Sequence, residues 1–134
     1  MKSCRSLHLS LLWALLAFVS ACATPPPTTA AGFKASAATK FDKGDFDGAI
    51  ADCTKAIALA ATDTEAYFYR ARAKESNNDF DGAIADYDKV IQLDPNNAVA
   101  YNDRGFAKES KGDLEGAAAD LNKAAKLNSP PASR

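Results

Sequence analysis

Apolar side chains recur at helical spacing along most of this chain, and the spacing itself repeats. Ala83, Ile84, Tyr87 and Ile91 fall at i, i+1, i+4 and i+8, one face of a helix. One period earlier, Ala49, Ile50, Cys53 and Ile57 do the same. The string Gly44-Asp45-Phe46-Asp47-Gly48-Ala49-Ile50-Ala51-Asp52 returns as Asn78-Asp79-Phe80-Asp81-Gly82-Ala83-Ile84-Ala85-Asp86. It returns again as Gly112-Asp113-Leu114-Glu115-Gly116-Ala117-Ala118-Ala119-Asp120. In this register the chain divides into units 33–66, 67–100 and 101–134, with no residue inserted or lost. A fixed period of this size marks a solenoid, in which each unit buries its apolar face on its neighbour. The pattern predicts an all-α fold, an α-solenoid of three tandem 34-residue helix-turn-helix repeats.

The residues between the apolar faces place the turns. In the second unit, helix A is expected from Tyr67 to about Asn77 and helix B from about Asp81 to Leu93. Helix A ends at Asn78, where the other units have Gly44 and Gly112, the residue types that enter the left-handed conformation closing a helix. Asp45, Asp79 and Asp113 follow, placed to accept backbone N–H bonds at the start of helix B. Gly48, Gly82 and Gly116 sit in that first turn, where glycine reads as an inexpensive surface position. Pro95 stops the second unit, since proline does not continue a helix.

These residues resemble the tetratricopeptide repeat family. Its signature of an aromatic, Leu-Gly, a small residue, a turn, Ala, an aromatic, Ala and Pro is met by Tyr67, Arg70-Ala71, Ala83, Tyr87, Val90 and Pro95 in the second unit. The third unit gives Tyr101, Arg104-Gly105, Ala117, Leu121 and Ala124, with Ser129 in place of the proline. The first, with Phe33, Ser36-Ala37, Ala49, Cys53, Ala56 and Ala61, departs furthest. The resemblance implies helix pairs stacked in a right-handed superhelix, with helices A lining a concave groove that binds extended or helical peptides. Carried over offset by offset, it implies a peptide-binding groove containing Lys34, Phe41, Phe68, Arg72, Asn102 and Phe106. Aromatics and arginine are the usual interface anchors; the competing reading packs some of these phenylalanines between units. Co-chaperones of the family grip a C-terminal carboxylate with a Lys/Asn set. Only Lys34 of that set is present, with Ala38, Tyr69 and Asp103 elsewhere, which argues against that role. The family often adds a solvating helix after its last repeat. Here the last helix B exchanges the isoleucines of earlier units for Ala118 and Ala125, and so reads as its own cap; a partner or second copy covering this end is the alternative.

The N-terminus is of another kind. Lys2 and Arg5 precede an apolar stretch from about Leu7 to Val19 and then small residues, the three parts of a secretory signal at 1–21. The stretch falls short of the roughly 20 residues a bilayer span needs. Val19-Ser20-Ala21-Cys22 resembles the lipobox of bacterial lipoproteins, which implies cleavage before Cys22 and lipid attachment to it. The alternative is ordinary secretion with cleavage after Ala23. Several acyl chains on one cysteine anchor stably, since each buried methylene is worth about 0.8 kcal/mol. Residues 22–32, with Pro25, Pro26 and Pro27, read as an extended tether. Localisation is expected in the bacterial envelope, at the outer membrane facing the periplasm, with a soluble periplasmic or secreted protein as the alternative.

Charge and composition narrow the chemistry. The formal charge is −1, and without Lys2 and Arg5 the side chains carry −3, too little positive charge to hold nucleic acid through its phosphates. The single histidine, His8, lies in the signal segment, so no histidine-based catalysis or metal site is expected. Asp52, Asp86 and Asp120 recur with Lys55, Lys89 and Lys123 three residues on, which reads as a solvated i, i+3 ion-pair stripe rather than paired catalytic acids. Asp42, Asp45 and Asp47 lack the length and terminal glutamate of a calcium loop. Cys53 stands at the offset of Tyr87 and Leu121 and reads as a small core residue. No enzyme, no metal, no cofactor and no small-molecule substrate are expected. The expected partners are another protein and, through lipid on Cys22, the membrane. The expected function is a lipid-anchored envelope adaptor or assembly factor, with a self-associating structural protein as the alternative.

Overall fold

The computed structural model describes residues 27–129. The signal segment 1–21 and residues 22–26 of the tether, Cys22 among them, lie outside the described residues; of the stretch expected to be extended, Ala30 to Gly32 instead open the first helix. Six helices follow in order: α1 Ala30–Asp42, α2 Phe46–Leu59, α3 Thr64–Ser76, α4 Phe80–Leu93, α5 Ala98–Ser110 and α6 Leu114–Asn128. There is no strand among the described residues. The helices pack in pairs, α1 on α2, α3 on α4 and α5 on α6, and the pairs stack through α2 on α3 and α4 on α5. The fold is a solenoid of helix-turn-helix repeats.

The odd-numbered helices begin three residues before Phe33, Tyr67 and Tyr101, the expected starts. A cap at each fixes the earlier start. Thr29 Oγ1 accepts from the Gly32 N–H at 3.1 Å, Asp63 from Ala66 at 3.1 Å and Asn97 from Ala100 at 3.0 Å. The tight turns match expectation. Gly44 and Gly112 have φ of 78° and 86°, and Asn78 takes the same left-handed conformation at 61°. Asp45, Asp79 and Asp113 then accept from the N–H of Gly48, Gly82 and Gly116 at 2.9, 3.0 and 2.9 Å. The glycine of this first turn is not the inexpensive surface position expected. A Cβ on Gly82 would stand 2.1 Å from Asp79 Oδ2, so the capping carboxylate occupies the space where a side chain would begin.

The core is made of small residues. Ala37, Ala49, Ala56, Ala71, Ala73, Ala83 and Ala107 are buried, and the largest fully buried side chains are Tyr87, Val90 and Cys53. Small residues at a contact let helix axes approach closely. The buried stripe of α4 is Ala83, Asp86, Tyr87 and Val90. Ile84 and Ile91 sit at its edge, half-buried.

The aspartate in that stripe corrects the expected solvated charge pairs. Asp52, Asp86 and Asp120 are 3%, 4% and 5% exposed. Their principal partners lie on the preceding helix, not one turn on. Asp86 takes Arg70 Nε at 2.8 Å, Arg70 Nη2 at 2.6 Å and Lys74 at 2.8 Å. Asp120 takes Arg104 at 2.8 and 2.5 Å and Lys108 at 2.8 Å. Asp52 takes Ser36 Oγ and Lys40, each at 2.6 Å, and only here does the i+3 lysine, Lys55, approach, at 3.5 Å. A carboxylate inside a dry helix pair is tolerable only when its lone pairs are filled by charged donors. Burial raises the pKa of Asp120, but the bonds from Arg104 and Lys108 outweigh it and hold the group below its ordinary range. Burial likewise acts upward on Asp52, and Lys40 and Ser36 bring it net downward. Lys89 meanwhile bonds Gln92 at 2.8 Å, and Lys123 lies 6.0 Å over the Tyr101 ring.

Polar contacts also join the repeats. Arg70 Nη1 donates to Thr54 Oγ1 at 3.2 Å, and Arg104 Nη1 to Asp88 at 2.5 Å. Asn77 donates to Asp47 at 2.6 Å, and Lys111 to Asp81 at the equivalent place.

Candidate functional site

Helices α1, α3 and α5 form one face of the stack, and a run of hollows follows it. The first, about 260 Å³, is lined by Ala38, Phe41, Asp42, Tyr69 and Arg72. Next to it, a hollow of about 320 Å³ lies among Lys34, Ala35, Ala38, Glu65 and Tyr69. A third, about 460 Å³ and mostly apolar, is bounded by Thr64, Glu65, Phe68, Asp94, Asn97 and Val99. Together they make a shallow, open channel rather than an enclosed cavity, suited to a chain segment rather than to a small molecule.

The candidate residues occupy this face in different states. Phe106 is 47% exposed, on α5. Phe68 is half-buried, its ring edge-on to Tyr87 at 5.7 Å. Phe41 packs edge-on to Phe46 at 5.3 Å and against the Ala37, Ala49, Cys53 and Ala73 cluster. Arg72 is exposed and lies 5.2 Å over the Phe41 ring, so the guanidinium and its aromatic form one cation–π unit. Lys34 is engaged with Asp63 at 2.9 Å and Glu65 at 2.6 Å, which raise its pKa. Asn102 is half-buried, its amide 3.4 Å from Asp103.

Val99, 57% exposed beside Phe68, completes the apolar hollow and was missed by the sequence reading. It falls in the last three residues of a unit counted from Phe33, which looks like linker. The N-cap residues Thr29, Asp63 and Asn97, recurring at the repeat period, are the signal that would have moved the helix start and recovered it.

Glu75 is a half-buried carboxylate of this face with no salt bridge among the described residues. It accepts from the buried Tyr87 hydroxyl at 3.1 Å. Burial pushes its pKa up, and the neighbouring charge of Asp103 adds to the rise. Among the described residues no cluster of side chains is arranged to hold a metal ion.

A TPR-repeat family model matches residues 71–112, and a tetratricopeptide-repeat model matches residues 98–130. Residues 71–130 carry tetratricopeptide repeats. Solved structures agree over a longer span. The first TPR of Spaghetti (RPAP3), bound to the HSP90 peptide SRMEEVD, is 26% identical with a TM-score of 0.72, covering 74% of this chain and 79% of that one. The second TPR domain of human RPAP3, in complex with the HSP70 peptide SGPTIEEVD, is 26% identical at 0.69, covering 72% and 80%. MamA is 29% identical at 0.72, covering 75% of this chain but 58% of its own. A search of the curated proteins finds no match to the chain. TPR domains are protein-interaction modules, generally without enzymatic activity, and two of these structures hold peptides of other proteins.

Proposed function

We propose that this TPR stack binds a segment of another protein along the face formed by α1, α3 and α5. The chain would act as an adaptor or assembly factor of the bacterial cell envelope, held to the membrane by lipid on Cys22. The observation that carries the binding role is Phe106 standing 47% exposed on α5, about two turns from Val99, which lines one hollow with the half-buried Phe68. Large apolar side chains aligned along an open channel are the usual anchors of a bound segment. Anchoring would raise the local concentration of the module near membrane-bound partners, which strengthens weak groove contacts without new ones. Among the described residues no helix is long and apolar enough to cross a membrane; in this reading the lipid on Cys22 supplies the attachment.

Capture of partners by the full chain, wild type against Phe106→Ala and Phe68→Ala/Phe106→Ala, tests the binding role. The reading expects specific partners to be lost from the variants while their helical content is kept; unchanged capture would reject it. Mass spectrometry of the mature N-terminus tests anchoring: a lipid-modified Cys22 is expected, and an unmodified start at Thr24 contradicts it.

A second reading, self-association, is favoured by Leu114, which is 65% exposed on α6 where the equivalent Phe46 and Phe80 are half-buried. Light scattering after size exclusion separates the two. A monomer rejects self-association, and a dimer abolished by Leu114→Ser supports it.

A further inference from the structure

The inner face carries an unbalanced charge. Of the charged residues of α1, α3 and α5, Lys40, Arg70, Lys74, Arg104 and Lys108 are taken by the buried Asp52, Asp86 and Asp120, which leaves Asp42, Glu65, Glu75, Asp103 and Glu109 against Lys34 and Arg72. Both cations are already engaged: Lys34 bridges Asp63 and Glu65, and Arg72 lies over Phe41. Asp42, Glu75, Asp103 and Glu109 form no salt bridge among the described residues, whereas the buried aspartates of the helix pairs all do. Asp103 and Glu109 stand three residues either side of the exposed Phe106 on α5, Glu75 lies on α3, and Asp42 lines the first hollow. Glu75 on α3 and Asp103 on α5 are both half-buried, and the charge of Asp103 disfavours the ionised form of Glu75.

We propose that the occupant of this channel is a cationic, apolar-spaced polypeptide segment, whose lysines or arginines pair with Glu75, Asp103 and Glu109 while its apolar side chains meet Phe68, Val99 and Phe106. The inference rests on the binding role proposed above and names the chemistry of its partner. An acidic segment such as SRMEEVD, held by the Spaghetti TPR, would bring carboxylates against carboxylates here. Like-charge juxtaposition excludes wrong partners more effectively than the matching pair adds affinity. A lysine or arginine docking at Glu75 would set an attraction beside the Asp103 charge at a half-buried position, where charge pairs count for more than on the open surface.

The test is an array of immobilised peptides of balanced composition, with equal shares of net positive, neutral and negative members, probed with the full chain in mild detergent at low and at physiological salt. The proposal expects retained peptides to be enriched about tenfold in net positive members over negative ones, with the enrichment reduced by salt. It expects Glu75→Gln/Asp103→Asn/Glu109→Gln to remove that preference while thermal unfolding stays cooperative. Glu109→Gln alone, at an exposed position, should weaken the preference without any effect on folding. Retention without charge bias, or biased towards acidic peptides, overturns the charge inference; if Phe106→Ala still reduces such retention, the binding role itself survives. Retention insensitive to Phe106→Ala as well as to the charge variants, or no retention at all, overturns both.

Discussion

Arg70 holds Asp86 from the facing helix with two nitrogens, Nε at 2.8 Å and Nη2 at 2.6 Å, while its third, Nη1, reaches Thr54 of the preceding repeat at 3.2 Å. Arg104 repeats the arrangement with Asp120 and Asp88. One planar fork therefore closes a helix pair and joins it to its neighbour, a task the point charge of lysine does not match. The first helix pair has no neighbour before it among the described residues, and Ser36 takes the arginine's place beside Asp52.

Removing the fork leaves a buried carboxylate short of partners. With Lys74 still on Asp86, Arg70→Ala is expected to cost about 1–3 kcal/mol, the range for leaving a buried polar group short of a partner. Lys89→Ala, one turn from Asp86 on its own helix, should change stability by less than about 1 kcal/mol. Urea unfolding of both variants checks the contrast; equal losses would restore the solvated i, i+3 stripe.

Stability should respond to pH in two separable ways of opposite sign. Asp52 and Asp120 have folded pKa values below the unfolded value of about 3.9. Their stabilisation is therefore present above that value and lost as pH drops through the lowered folded value. Glu75 has the opposite sign. Its folded pKa is raised, so its contribution is fully favourable below the unfolded value of about 4.3 and declines as pH rises through the folded one. Melting temperature against pH should show Glu75→Gln flattening the mildly acidic part of the curve and leaving the strongly acidic fall in place.

The first-turn glycine and the capping aspartate should behave as a unit. Gly82→Ala places a methyl where Asp79 sits, so the cap is lost at a cost of about 0.5–2 kcal/mol, against a helix-propensity gain of about 0.5–1 kcal/mol. With Asp79→Ala already present, the same change should turn stabilising. A double-mutant cycle by chemical unfolding measures the coupling, and simple additivity would contradict it.

Cys53 is fully buried, and burial pushes its thiol up to about 11. At neutral pH it should resist a water-soluble thiol reagent in the native state and react at the unfolded rate once denaturant is added. Rapid native labelling would mean that the α1–α2 pair opens easily.

Much of this architecture could be read in the sequence because its determinants are local. Asn78 and Gly112 close their helices, and Asp79 and Asp113 open the next, within a few residues of the turns they make. The burial of Asp86 was not legible in the same way, since its partners Arg70 and Lys74 lie sixteen and twelve residues upstream on another helix. Lys89 offered a nearer, charge-matched explanation. The recurrence of Arg70 at Arg104, and of Lys40 at Lys74 and Lys108, was the available signal for the cross-helix pairing. For the candidate groove, the aromatic positions were accessible from the repeat register, but their roles depend on packing. Phe41 is spent on its own repeat and on Arg72, whereas Phe106 is left half open.

Site-specific photo-crosslinking in the cells that make the protein addresses the binding face most directly. A crosslinking residue at Phe106 samples the face of α1, α3 and α5; one at the exposed Ala85 of α4 samples the opposite helix layer. The account predicts a discrete adduct with another polypeptide from position 106 and none from position 85. Adducts from position 85 with none from 106 would place recognition on the other face and contradict it.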